Sequence, residues 1–161
     1  MKLIQCDDTL IKKTAEFASD VFIDYYKDLI GIDQAEYMVN LFLTEDKIKE
    51  LIDNGAIFKI LVEDDQILAF TEYIKETDKV FLSKLYVRKD SRKQGLGKIL
   101  FEDCIKYTKE NNLNKIYLTV NKHNTPSYNT YLHLGFKVVD SVINDIGNNY
   151  VMDDYIMEYQ I

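Results

Sequence analysis

A short glycine-bearing stretch, Arg92-Lys93-Gln94-Gly95-Leu96-Gly97-Lys98, follows the β-rich run Leu85-Tyr86-Val87 and opens a helical pattern. Glycines let a backbone approach a ligand closely, and the first turn of a helix offers unpaired N–H groups carrying partial positive charge. Together they make an anion site of the kind that suits a pyrophosphate. Two familiar phosphate signatures fit poorly. A P-loop needs Gly-Lys-Ser/Thr, but Gly97-Lys98 is followed by Ile99. A dinucleotide fingerprint needs a third glycine where Leu100 stands, on a helix after the first strand rather than the fourth. Read alone, the glycine pair also suits a plain strand-to-helix turn.

Other side chains could move protons or meet a cation. Strand 66–75 alternates, with Leu68, Phe70 and Ile74 on one face and Glu72 among them. A carboxylate there would have a raised pKa, useful for accepting an amine proton, unless it is salt-bridged or solvated at the strand end. Asp153 and Asp154 share the last strand and face opposite ways, so one of them could meet a substrate ammonium. Solvation or ion pairing is the plainer reading. Tyr25 and Tyr26 end the first helical pattern. His123 and His133 have no ligand spacing and read as surface residues, and Cys6 and Cys104 make neither a disulfide framework nor a metal cluster. No metal is expected, and no serine, cysteine or histidine constellation suggests a covalent intermediate.

The elements that must position these residues follow from periodicity. A short strand is expected at 2–6, then a helix from Thr9, its cap, to Gly31. Asp33 opens a second helical stretch with Glu36 as capping-box partner, and Thr44 a third that stops near Asn54-Gly55. Runs 56–63, 66–75 and 79–87 read as a meander of strands joined by short polar turns. A helix from the glycine stretch to Asn111-Asn112, a strand at 115–120 and a helix from Thr125-Pro126 to Gly135 come next. Two strands close the chain, at about 136–143 and 150–160. The order is β-α-α-β-β-β-α-β-α-β-β. A right-handed parallel crossover joins 79–87 to 115–120, so the expected class is α/β with a mixed sheet.

The 161 residues suit one domain, 1–161, without an internal linker. A net charge of −7 argues against nucleic-acid binding and is compatible with a cationic substrate. No apolar stretch approaches bilayer length, and the N-terminus turns acidic too soon for a signal peptide, so no membrane partner is expected. Two thiols without a framework fit the cytoplasm.

The stretch Arg92-x-x-Gly95-x-Gly97 resembles the acetyl-CoA signature of the GNAT superfamily of N-acetyltransferases. A second stretch, Asn124-Thr125-Pro126-Ser127, then Tyr131, then Leu134-Gly135-Phe136, resembles that family's later motif, and the element order is similar over nearly the whole chain. The resemblance implies direct transfer of an acetyl group from acetyl-CoA to a primary amine. It places the pyrophosphate on the N–H groups of Gln94, Gly95, Leu96, Gly97 and Lys98, with Arg92 and Lys93 beside them. The strand of Leu85, Tyr86 and Val87 would pair with the pantetheine arm, with Asn124 as a polar contact and a main-chain N–H near Leu85 polarising the thioester. Tyr131 would be the general acid, because a phenol titrating near ~10 can protonate a thiolate whose acid titrates near ~8.5. Tyr25, Tyr26, Ser83 and Asp153 would border the acceptor. Related enzymes often carry a carboxylate base where Ser83 or Thr119 stands here, which leaves Glu72 or a water chain for that role. The acceptor is a small amine or a peptide; a CoA-binding module without turnover is the alternative from another class. Homodimers are common among similar proteins, although no exposed stripe marks an interface.

Overall fold

The computed structural model describes residues 1–161. Strand β1 (Lys2–Gln5) leads into three helices, α1 (Ile11–Ile30), α2 (Ile32–Phe42) and α3 (Glu45–Asp53). These are the three helical stretches that the periodicity marks, although the order written as β-α-α-β counts only two of them. Leu43 leaves helical geometry at φ −124°, and Thr44 restarts it by accepting a hydrogen bond from the Lys47 N–H at 3.1 Å. Thr44 opens the third helix as expected, whereas two caps differ. Thr9 donates its N–H and hydroxyl to Asp7 Oδ1, so it closes a turn before α1. The second helix begins at Ile32, directly after Gly31, which leaves Asp33 in its first turn and no capping box.

The meander appears as β2 (Ile57–Glu63), β3 (Gln66–Lys75) and β4 (Val80–Val87), all antiparallel. Asp64 and Asp65 make its first turn with φ of 50° and 61°, the mirror-type geometry that matches strand twist. Then follow α4 (Leu96–Glu110), β5 (Lys115–Asn121), α5 (Thr125–Leu134), β6 (Lys137–Gly147) and β7 (Tyr150–Gln160). The sixth strand runs four residues past its expected end because β7 pairs with it as far as Gly147. Seven strands form one sheet in the order β1-β2-β3-β4-β5-β7-β6.

Side-chain alternation divides the core. On one face Ala18, Phe22, Met38, Ile48, Phe58, Ile60 and Phe70 pack with α1, α2 and α3. On the other, Leu82, Phe101, Cys104, Ile116, Leu118, Phe136 and Met157 pack with α4 and α5. No helix is long and apolar enough to cross a membrane.

Candidate active site

The sheet opens between β4 and β5. These parallel strands pair only at Val80 with Ile116 and Phe81 with Tyr117; beyond that point β4 stays with β3 while β5 follows β7. A register shift between Glu72 and Tyr73, opposite Leu82 to Lys84, bends β4 away from its neighbour. The Arg88 N–H donates to the Leu68 carbonyl at 2.8 Å, which marks the hydrogen-bonded pairs of the β3–β4 ladder. By alternation Tyr86 turns its peptide groups to β3, whereas Leu85 and Val87 turn theirs into the opening. Tyr86 therefore differs from the expectation of a backbone contact to the arm. Its ring instead packs edge-on against Phe22 on the α1 face.

At the mouth of the opening, Gly95 starts α4 in left-handed geometry at φ 79°, which favours glycine. The N–H groups of Gly95, Leu96, Gly97 and Lys98 find no acceptor in the chain. A Cβ placed on Gly97 would lie 3.4 Å from Leu85 Cδ2, so helix and strand are already in close contact. Lys93 and Gln94 are exposed, and Lys98 is half-engaged with Glu102 at 3.9 Å. Arg92 donates from Nε to the Val87 carbonyl at 3.1 Å and lays its guanidinium 5.2 Å from the Tyr25 ring centre. That side chain ties the loop to the end of β4.

The far wall comes from α5. Asn124 is buried and held within the protein: Oδ1 accepts from the Ser127 N–H at 3.3 Å and the Tyr25 hydroxyl at 2.5 Å. Its Nδ2 donates to the Tyr26 hydroxyl at 3.1 Å. Asn124 thus caps α5 and fastens it to α1. Tyr131, seven residues on, lines the opening with Leu85, Val120 and Ser127. Its hydroxyl makes no hydrogen bond in the chain, and burial, with Tyr25 nearby, pushes its pKa up to about 12. It stays protonated at any neutral pH.

A second cavity continues from the first on the α1 face. Tyr26, Ser83, Tyr86 and Thr119 belong to both walls. Phe22, Ile30, Met38 and Met152 make the new part apolar, and Asp154 is its only ionisable carboxylate. Asp153 points to the opposite face, where the Lys122 ammonium lies 3.0 Å from its Oδ1 although no well-directed hydrogen bond reaches that oxygen. Asp153 therefore does not border the cavity; its neighbour does. Glu72 does lie on the α1 face, but it is not the lone carboxylate expected there. Lys84 stands directly opposite on β4 and pairs with it, with side-chain exposures of 11% and 3%.

Periodicity alone named both aspartates and could not choose between them. The register decides: Asp154 shares its side of β7 with Met152, which packs against the α1–α3 cluster, and Asp153 shares its side with Tyr155 and Met157. Chemically, the arrangement offers unpaired N–H groups for a polyanion, a strand edge for an extended polar arm, a buried phenol, and an apolar cavity with one carboxylate.

Residues 18–136 match the acetyltransferase (GNAT) family. No curated protein sequence matches the chain. Among solved structures, the PaiA N-acetyltransferase of Thermoplasma acidophilum in complex with coenzyme A superposes with a TM-score of 0.85 at 20% identity, over 99% of this chain and 98% of that one. Aminoglycoside 6′-acetyltransferase type Ii superposes with a TM-score of 0.69 at 21% identity, over 99% and 97%. The ribosomal-protein-alanine N-acetyltransferase of Brucella melitensis does so with a TM-score of 0.70 at 13% identity, over the full length of both. The match over residues 18–136 makes this chain a member of the acetyltransferase (GNAT) family.

Proposed function

We propose that the protein transfers an acetyl group from acetyl-CoA directly to the primary amine of a small molecule. The observation that carries this reading is the opening between β4 and β5, with free N–H groups at its mouth and Tyr131 in its wall. The fit to the donor is good on both counts. A pyrophosphate suits the start of α4, where Gly95 and Gly97 keep side chains out of the way. An amide-bearing arm suits a strand edge where the Leu85 peptide groups and the Val87 N–H lack a partner on β5.

The donor supplies an acyl group activated as a thioester. The chain supplies the rest. The Leu85 N–H faces the opening, where it can donate to a carbonyl oxygen that gains charge during attack. Tyr131 holds the proton that the departing thiolate needs. Asn124, by joining α5 to Tyr25 and Tyr26, sets where Tyr131 stands.

The shape of the acceptor cavity favours a small amine over a protein chain. Tyr37 donates its hydroxyl to the Ile146 carbonyl at 2.6 Å, and Gln34 Nε2 donates to the Val151 carbonyl at 3.1 Å. These bonds bind α2 to the β6–β7 hairpin beside the cavity, whose wall includes Gln34 and Val151. Thiol release from acetyl-CoA, measured across small amines, peptides and a lysine-rich protein, tests the reading. We expect turnover with small primary amines. Tight donor binding without thiol release from any acceptor overturns it in favour of a module that only binds.

A further inference from the structure

We propose that the Asp154 carboxylate receives the acceptor as an ammonium ion and takes one of its protons, which frees the nitrogen lone pair for attack. The inference rests on the acetyltransferase reading and supplies the base that neither Ser83 nor Thr119 can provide. Asp154 is 4% exposed, lines the apolar cavity, and has no hydrogen bond or ion pair from any group in the chain. A buried carboxylate is normally paired, because an unpaired charge in an apolar site is destabilising. This one lines the cavity without a counter-charge from the chain. A primary ammonium, with three donors and one charge, suits that carboxylate, and an alkyl stem suits Phe22, Ile30 and Met38.

The groups around it agree. Tyr26 from α1 and Tyr86 from β4 line the same cavity, both held protonated by burial. Two α2 residues on the wall, Gln34 and Met38, and two on β5, Thr119 and Asn121, do not titrate. On β6, Val142 stands opposite Asp154, and Asp140, next on that face, is exposed. Asp153, on the reverse of β7, raises the Asp154 pKa and Lys122 lowers it; with burial as the main cause it reaches about 6. The group is thus ionised at neutral pH yet basic enough to take a proton.

The step balances. Asp154 takes one proton from the ammonium, and the neutral amine nitrogen then bonds to the acetyl carbon. The carbon–sulfur bond breaks, the thiolate takes the Tyr131 proton, and the second proton that the nitrogen sheds restores the Tyr131 phenol. Asp154 releases its proton to solvent, so the products are the acetamide, CoA and one proton.

The test compares wild type with Asp154→Asn in the complex with CoA, using butylamine and 1-butanol as calorimetric probes. Butylammonium should bind wild type at least about 10-fold more tightly than the variant, with butanol changed by less than about twofold. Turnover of butylamine should fall by about 100-fold or more in the variant, and the limb of the kcat/KM profile near pH 6 should vanish. Equal butylammonium binding by the two proteins overturns the ammonium site. Retained discrimination with an unchanged limb overturns the proton transfer. Charge-dependent binding without thiol release from any amine keeps the ammonium site, and it sinks both the acetyltransferase reading and the proton transfer that depends on it. The free variant should also melt higher than wild type at pH 7.5, with that gain largely gone at pH 4, since a carboxylate raised from 3.8 to about 6 penalises the fold progressively between those values and fully above them. A lower melting temperature at pH 7.5 would mean that Asp154 is paired after all, and would overturn the proposal.

Discussion

The donor and acceptor sides of this site are built from different materials. The donor side is main chain: four N–H groups from Gly95 to Lys98 and the edge of β4. The acceptor side is side chains gathered from distant segments, Tyr26 on α1, Met38 on α2, Tyr86 on β4, Thr119 on β5 and Asp154 on β7. A main-chain site needs a conformation and small residues, which a short local sequence can encode. A side-chain site needs the right residue at every contributing position, and its specificity changes when any one of them changes.

Three substitutions test that division. Glu72→Gln leaves the Lys84 ammonium, 11% exposed, without its counter-charge. We expect a loss of about 3–5 kcal/mol in urea unfolding, with donor affinity intact in the folded fraction. Unchanged stability with reduced kcat would instead return Glu72 to the chemistry. Tyr131→Phe removes the proposed acid and leaves the ring in place, so kcat should fall by about 100-fold while the Kd for acetyl-CoA moves by less than about twofold. An unchanged rate removes Tyr131 from the acid role. Gly97→Val drives a branched side chain toward Leu85, already 3.4 Å from a Cβ at that position. The acetyl-CoA Kd should rise about 10-fold, equivalent to about 1.4 kcal/mol, while the amine KM at saturating donor stays put. Equal damage to both constants would show that the two sides are one unit.

Much of the scaffold was legible before folding. The alternating runs of the meander, the polar turns and the glycine stretch fell within a residue or two of the observed elements, because periods of 2.0 and 3.6 are local properties. Helix starts were less legible. Thr9 and Asp33 have the right chemistry for caps, but the Asp7 turn captured the first and Gly31 began the helix ahead of the second. The proton-transfer residues divided in the same way. Tyr131 sits within a motif on one helix. Glu72 was visible as a carboxylate on an apolar face, yet its partner Lys84 lies across a bulge that no periodicity reveals.

By itself the sequence determined the strand and helix pattern, the glycine turn at Gly95 and Gly97 that opens α4, and the place of Tyr131 on α5, since each depends on neighbours within a few positions. The tertiary structure alone decided that β4 and β5 part after Phe81, that Lys84 neutralises Glu72, and that Asp154 rather than Asp153 meets the cavity. Those outcomes depend on strand register and on which face a sheet turns to α1, and both are set by packing between segments more than 100 residues apart, such as Tyr26 on α1 and Asp154 on β7.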